Sequence, residues 1–477
     1  MKNFLLLCFV ALCLSSNLSA QQSNFPIVYD NVLYTDIRGL VATKDGNFVM
    51  TGLKKTTDYP EGNMYLKKID LTGATLWERD FGQPLEDGGN YLMGTNDGGL
   101  LISGHIEYSN EVCDGYVVRT DADGRLLWKM TIGEWSPDEV CNGGTQLENG
   151  DIYLTGRIGD LATENFDVLL CRISRNGELL FWKKIPVQGS EYGKFICPTD
   201  DGNLLISGFS VAENSNQEEM LVMKVNLEGD LLWKRNFNFG THTRARGLCA
   251  LPNHTYAITG GTAELPYRKA FQSMKIVVVD NDGNLVKDVS PLADEGRGFL
   301  YDICPAGDGH YVASGIFQSN DQSNGSLCML SLDKDLNILE YSVADTNADS
   351  WGYCTVPMGR NDFLIAGRMQ GAEEEVMSGI INRFSLQTLQ TASPDLLHNA
   401  LVTPNPFSDF AYLRLATPSY DNTLKIYDIN GRLQESLVFY DKVLKLDASR
   451  FATGIYPFQV IDNKTGALIS IGRLVRE

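Results

Sequence analysis

The sequence predicts an all-β protein, a seven-bladed β-propeller followed by a small C-terminal β-sandwich. Three observations carry that expectation: a motif that recurs seven times at near-constant spacing, paired turn signals inside each repeat, and a change of pattern near the C-terminus. The motif copies are DGNFVMTG (45–52), DGGLLISG (97–104), NGDIYLTG (149–156), DGNLLISG (201–208), NHTYAITG (253–260), DGHYVASG (308–315) and NDFLIAG (361–367). They close on Gly52, Gly104, Gly156, Gly208, Gly260, Gly315 and Gly367, at intervals of 52, 52, 52, 52, 55 and 52 residues. A fixed period in this range marks a solenoid, a propeller or an array.

Each repeat reads as four strands. In the second, Leu100–Gly104 follows an Asp-Gly turn, Tyr116–Thr120 leads to the turn Asp121–Gly124, and Leu126–Met130 completes the unit. Runs of β-branched and aromatic residues bounded by Asp-Gly or Asn-Gly form hairpins, because those dipeptides accept the positive φ of tight turns. A ring is favoured over a linear array because it leaves only short, protected edges. The fourth strand carries Trp77, Trp128, Trp182 and Trp233, placed to fill the wedge between blades. The last repeat has a weak fourth strand near 388–393, and Phe25–Tyr29 precedes the first repeat without a partner. That segment is expected to complete the last blade and close the ring; the alternative is a disordered tail.

The stretch Trp77–Gly82, with Asp87-Gly88 and Asp97-Gly98-Gly99 after it, resembles the propeller repeats of secreted bacterial proteins. The stretch 70–77 is also similar to the docking-Trp motif of quinoprotein propellers. Those enzymes have eight blades and an adjacent Cys pair, which this chain lacks, so the similarity is read as shared blade packing and no cofactor is expected.

Of the 477 residues 43 % are hydrophobic, and the formal charge is −20. Such a surface repels nucleic acid and anionic membranes, so neither is an expected partner. Its plainest reading is solubility, and attraction of Ca²⁺ is the alternative. Residues 1–20 carry Lys2, an apolar run over 4–14 and small residues ending at Ala20, the pattern of a secretory signal peptide. The run is too short to span a bilayer. Eight cysteines follow it. Cys197, Cys249 and Cys304 each lie eleven residues before their closing glycine, hence at one position in three successive blades. Equivalent sites stand about 10 Å apart, beyond the roughly 7 Å a disulfide spans. Unpaired buried thiols are therefore expected ahead of disulfides, and no spacing marks a zinc site.

Beyond a propeller at 21–392 and a polar linker at 393–402, residues 403–477 change character. Pro404, Asn405 and Pro406 are followed by Leu424–Arg432 with Tyr427 and Gly431, then Gly454 and Tyr456, then Gly472. Alternating strands with Asn-Gly turns suit a small sandwich, and an ordinary immunoglobulin-like module is the alternative. In this order and place the blocks resemble the type A sorting domain of the type IX secretion system of Bacteroidetes. The resemblance implies that the tail engages that secretion machinery and that the protein is secreted or held at the outer cell surface. Pro457 and Arg473 depart from the usual pattern.

No histidine sits in a metal or nucleophile motif, and Gly-x-Ser-x-Gly and phosphate loops are absent. Asp121–Gly124 and Asp280–Gly283 resemble the start of calcium loops but lack the distal Glu and stand where turns belong, so no metal is expected. One set of residues each precedes a glycine ahead of the first strand of a blade: Arg38, Asp87, Asn142, Tyr192, Arg246, Arg297 and Trp351. They are expected in the loops entering each blade, on one rim of the central channel, where they can grip a sugar or peptide. The bland alternative is that Asp and Gly only shape those loops. Asp36, Glu86, Asp138, Glu191, Glu295 and Asp349 lie nearby. A binding or adhesion module for a glycan or protein ligand is the leading expectation. A polysaccharide-acting enzyme using rim carboxylates and a structural scaffold are the alternatives.

Overall fold

In the computed structural model the described residues run from 25 to 386 and from 400 to 476, with short inter-strand segments left out of both spans. The chain divides into two compact units between Phe384 and Ser385.

The first unit holds seven four-stranded antiparallel sheets, met in order along the chain. Blade 1 is Tyr34–Ala42, Phe48–Lys55, Asn63–Ile69 and Thr75–Asp80; blade 2 is Asp87–Gly94, Leu100–Tyr108, Val112–Thr120 and Leu126–Ile132. Blades 3 to 6 repeat the plan, with first strands Asp138–Gln146, Ser190–Pro198, His242–Leu251 and Gly296–Gly307. Blade 7 takes three strands from its own repeat, Ser350–Pro357, Asp362–Gln370 and Met377–Ser385, and its fourth from Ile27–Tyr29. Ile27 pairs with Ile381 and Tyr29 with Gly379. The first strand of each blade packs on that of the next, and blade 7 on blade 1, so the ring is closed by the N-terminal strand.

The tryptophans lie further out than the middle of the wedge. Trp77, Trp128 and Trp233 are half-buried on the outermost strands, against Gly124, Gly177 and Gly283 in the turn of the following blade. Each of those glycines has a positive φ, 73°, 84° and 79°, and any side chain on it would strike the indole. At the seam Ile27 lies in the same way on Gly73 of blade 1. Ring closure therefore reuses the ordinary blade junction with a smaller side chain.

The recurring motif has two structural jobs. Its turn aspartate pairs with a base on the third strand: Asp45 with Lys68 at 2.6 Å, Asp97 with Arg119 at 2.5 Å, Asp151 with Arg172 at 2.6 Å and Asp201 with Lys224 at 2.5 Å. Its closing glycine sits opposite a β-bulge. In blade 1, Ile37 pairs with Gly52 and Gly39 with Thr51, which leaves Arg38 as the extra residue. The same shift leaves Asn90, Asn142, Lys194, Arg246, Tyr301 and Tyr353 extra in blades 2 to 7. A Cβ on the closing glycine would collide with a carbonyl of the bulged strand, that of Asp36, Gly88, Val140, Tyr192, Arg244, Phe299 or Trp351. The glycine thus permits the close approach that a bulge of this kind makes.

Asp121–Gly124 and Asp280–Gly283 are turns. Asp121 Oδ1 accepts from the amides of Asp123 and Arg125 at 2.9 and 2.8 Å, and Asp280 Oδ1 from those of Asp282 and Asn284 at 2.9 Å each. The eight cysteines of the repeats are all unpaired, and Cys141, Cys171, Cys249, Cys328 and Cys354 are buried.

The second unit is a sandwich of a three-stranded and a four-stranded sheet. Leu413, Leu424, Ile426, Phe439, Phe458, Val460 and Leu474 fill the space between them. Tyr456 packs on this core, its ring 5.2 Å from that of Phe451, and its hydroxyl donates to the Ala452 carbonyl at 3.0 Å. Pro457 pairs only with Arg473, because the neighbouring strand Asn422–Tyr427 reaches no further than Phe458. Its missing N–H therefore breaks no ladder bond on that side. Tyr427 and Gly472 lie in strands Asn422–Tyr427 and Leu468–Arg476, and Gly454 opens strand Gly454–Asp462. Pro404, Asn405, Pro406, Gly431 and residues 1–20 lie outside the described residues. Among the described residues no helix is long and apolar enough to cross a membrane.

Candidate functional site

A bulge inserts one residue that the ladder does not hold and re-aims its side chain. Here that happens once per blade at one level of the innermost strand. All seven extra residues, Arg38, Asn90, Asn142, Lys194, Arg246, Tyr301 and Tyr353, line a single cavity of about 400 Å³. A cavity touched by every blade lies on the ring axis, at the mouth of the central channel.

The bulged side chains reach across blade boundaries. Arg38 Nη1 donates to Asn90 Oδ1 at 2.9 Å, and Asn90 Nδ2 donates to the Cys141 carbonyl at 3.1 Å. Asn142 Nδ2 donates to the Gly193 carbonyl at 2.9 Å, and Lys194 Nζ donates to Asn142 Oδ1 at 3.3 Å. In blades 6 and 7, Tyr301 and Tyr353 meet edge to face with ring centres 4.8 Å apart. The mouth therefore has a polar and cationic arc and an aromatic arc.

Its charge opposes that of the whole chain. Among the described residues Arg38, Lys194, Arg244, Arg246 and Arg368 face the cavity, against the carboxylate of Asp36, while the chain carries −20. Asp36 is engaged by Arg38 at 3.0 Å. Burial, and then the guanidiniums of Arg246, Arg157, Arg244 and Arg38, hold the Lys194 amine well below the ordinary lysine range. Burial and the neighbouring Arg244 also lower Arg246.

A second cavity of about 650 Å³ shares Lys194, Arg244 and Arg246 with the first. Its wall is an alternating stack. Arg157 lies 4.8 Å over Phe166, Phe166 is 5.2 Å from Tyr192, Tyr192 stacks on Phe209 at 4.3 Å, and Arg244 lies 4.2 Å over Phe209. Arg244 is also ion-paired with Glu218.

The seven residues expected on the rim divide. Arg38, Asn142 and Arg246 are bulged residues. Trp351 lines the same cavity as a floor, 2 % exposed, with Arg368 lying 4.8 Å over its ring. Tyr192 belongs to the second cavity. Asp87 is fully buried, and Arg297 is exposed, its Nε donating to Gln318 at 2.9 Å. None sits in an entering loop: all seven lie within the first strands, because those strands begin earlier than their apolar runs suggest. The residues missed were Asn90, Lys194, Tyr301 and Tyr353. A signal existed, since every bulged residue stands fourteen positions before its closing glycine, as Arg38 does before Gly52 and Tyr353 before Gly367.

Residues 401–470 match the family model of a secretion system C-terminal sorting domain. The chain thus carries a type IX sorting tail and is a protein exported to the cell surface or beyond. No curated relative matches the chain. Among solved structures it is similar to PorZ, a bacterial surface component of the type IX secretion system of Porphyromonas gingivalis, at 14 % identity and a TM-score of 0.46. That match covers 94 % of this chain, which spans 60 % of the length of that one. It is also similar to YCF48 bound to D1 peptide, at 12 % identity and a TM-score of 0.46, covering 76 % of this chain and 94 % of that one. The WD40 domain of Neurospora crassa Pan2 matches at 10 % identity and a TM-score of 0.45, covering 73 % and 95 %.

Proposed function

We propose that the protein is an exported binding module whose ligand site is the mouth of the propeller channel. One observation carries this reading. Seven backbone bulges repeat one geometry, yet their side chains, Arg, Asn, Asn, Lys, Arg, Tyr and Tyr, are of four different types, and all seven converge on one cavity. Residues needed only for the fold recur from blade to blade, as the closing glycines do. Side chains that vary at a fixed geometric position suit recognition.

The charge pattern favours binding over hydrolysis of a glycosidic bond. That chemistry uses two carboxylates facing each other across the substrate. Among the described residues Asp36 is the one carboxylate lining the channel cavity, while Glu191 is buried and held by Lys234 at 2.6 Å.

The test is a thermal-shift panel of oligosaccharides and peptides on the intact protein, beside a variant with the mouth filled, Asn142→Trp. A ligand at a hundred times its Kd adds about 2.7 kcal/mol. The reading expects a shift in the wild type that the filled variant loses. Silence across the panel, or a shift that survives filling, contradicts it.

A further inference from the structure

The channel mouth gathers positive charge that the described residues neutralise only in part: Asp36 serves Arg38 and Arg368, and Glu218 serves Arg244. The two cavities share Lys194, Arg244 and Arg246, and Arg157 lines the second; among the described residues the carboxylates lining them are Asp36 and Glu218. Glu218 is committed to Arg244. Arg157 and Arg246, with Arg368 beyond them, each bury an Nε that has no hydrogen-bond partner among the described residues. A buried guanidinium donor without an acceptor is costly; of these three, Arg246 and Arg368 line the first cavity and Arg157 and Arg246 the second. Such an arrangement is compensated when an anion enters.

The far wall is different. Tyr301 and Tyr353 line it beside Phe271 and Phe299. The strand edge facing the channel is bulged in every blade, so an extended peptide cannot add to it as a further strand. A volume of about 400 Å³ suits one or two sugar rings.

We propose that the mouth binds an acidic carbohydrate. Its carboxylate or sulfate sits among Lys194, Arg246 and Arg157, and its ring rests on Tyr301 and Tyr353. This rests on the reading of the mouth as a binding site and names what it takes.

The experiment is calorimetric titration of the full chain with five probes: a trigalacturonate, the matching neutral galactose trimer, a sulfated disaccharide, a tetraglutamate peptide and inorganic phosphate. The expected result is binding of an acidic sugar at least roughly tenfold tighter than its neutral counterpart, and weakening by about tenfold between about 50 and about 500 mM salt. Carboxylated and sulfated probes separate the two sources of charge. Arg246→Ala should weaken binding about tenfold or more, and Arg246→Lys should recover part of it, with melting temperatures showing that both variants fold. Tyr353→Ala should weaken the acidic sugar but leave its salt dependence intact. Equal binding of the neutral trimer, unmoved by Arg246→Ala, overturns the proposal while leaving a binding site at the mouth. Preference for tetraglutamate or bare phosphate overturns the sugar assignment. Failure of every probe overturns it together with the binding reading.

Discussion

Two arcs of one ring share a backbone and differ in chemistry. In blades 1 to 5 the bulged residues are Arg38, Asn90, Asn142, Lys194 and Arg246; in blades 6 and 7 they are Tyr301 and Tyr353. The same closing glycine stands opposite each of them. The comparison separates what the propeller needs from what it presents. The glycine answers to a carbonyl that leaves no room for a Cβ, and the bulged residue answers to the channel. Changes on the glycine side should act on stability, and changes on the bulge side on binding.

The largest expected effect is on the glycine side. Gly156→Ala places a Cβ against the Val140 carbonyl, and unrelieved overpacking of this kind should cost about 3 kcal/mol. Gly202, also in a motif copy, has a φ of 79° and open space around it, so Gly202→Ala should cost only about 1 kcal/mol. Urea unfolding of the two variants measures the difference. Equal losses would remove the bulge as the reason for the recurring glycine.

Blade junctions come next. Trp128→Ala should cost about 3 kcal/mol, as for other large aromatic truncations. Ile27→Ala at the seam should cost about 2 kcal/mol, because the same turn-glycine contact is made there by a smaller side chain. A loss near zero for Ile27→Ala in thermal melts would mean that the N-terminal strand does not lock the ring.

A pH effect belongs to the aromatic arc. Asp302, next to the bulged Tyr301, is pushed up to about 6 by burial, against the amides of Thr355 and Ile303, which donate to it at 2.8 and 2.9 Å. A carboxyl with a raised folded-state pKa contributes stability that is fully present below its usual value, near 4, and is lost as pH rises through about 6. Stability should therefore fall by about 2 kcal/mol between about pH 4 and 7 through this group. Asp302→Asn should flatten that part of the profile in denaturant titrations, and an unchanged slope would assign it elsewhere.

The smallest effects separate the two kinds of residue in the cationic arc. Asn142→Ala should cost about 1 kcal/mol for its bond to the Gly193 carbonyl. Arg246→Gln should lie within about 0.5 kcal/mol of the wild type, because it also relieves repulsion from Arg244. Chemical denaturation reads both, and a large loss for Arg246→Gln would make it a structural residue.

The fold was legible because its determinants recur. Seven glycines, turn aspartates and four tryptophans gave the blades, and the unpaired Phe25–Tyr29 gave the closing strand. The site was legible only in part. A search for a residue just before a glycine finds Arg38, Asn142 and Arg246, where Gly39, Gly143 and Gly247 follow the bulge. It slips in blades 4 and 7, where Gly193 and Gly352 precede the bulge and the search stops at Tyr192 and Trp351. Either side of a bulge can require glycine, so a neighbouring glycine does not fix the position, whereas the distance to the closing glycine does. Arg157, Arg244 and Arg368 were beyond reach. Their place at the mouth depends on which face of a strand looks inward, and an overall charge of −20 hides a local positive site.

The cationic mouth is probed most directly at Lys194, which lines both cavities. We would treat the intact protein with a small amine-acylating reagent near neutral pH and follow each lysine by mass spectrometry, with exposed Lys334 as the reference. Burial and the guanidiniums around it hold the Lys194 amine well below the ordinary lysine range, so it should react ahead of Lys334 as the pH is raised, and a small anion such as sulfate should slow it without affecting Lys334. If Lys194 reacts no faster than Lys334 and ignores the anion, the mouth is not an uncompensated cationic site.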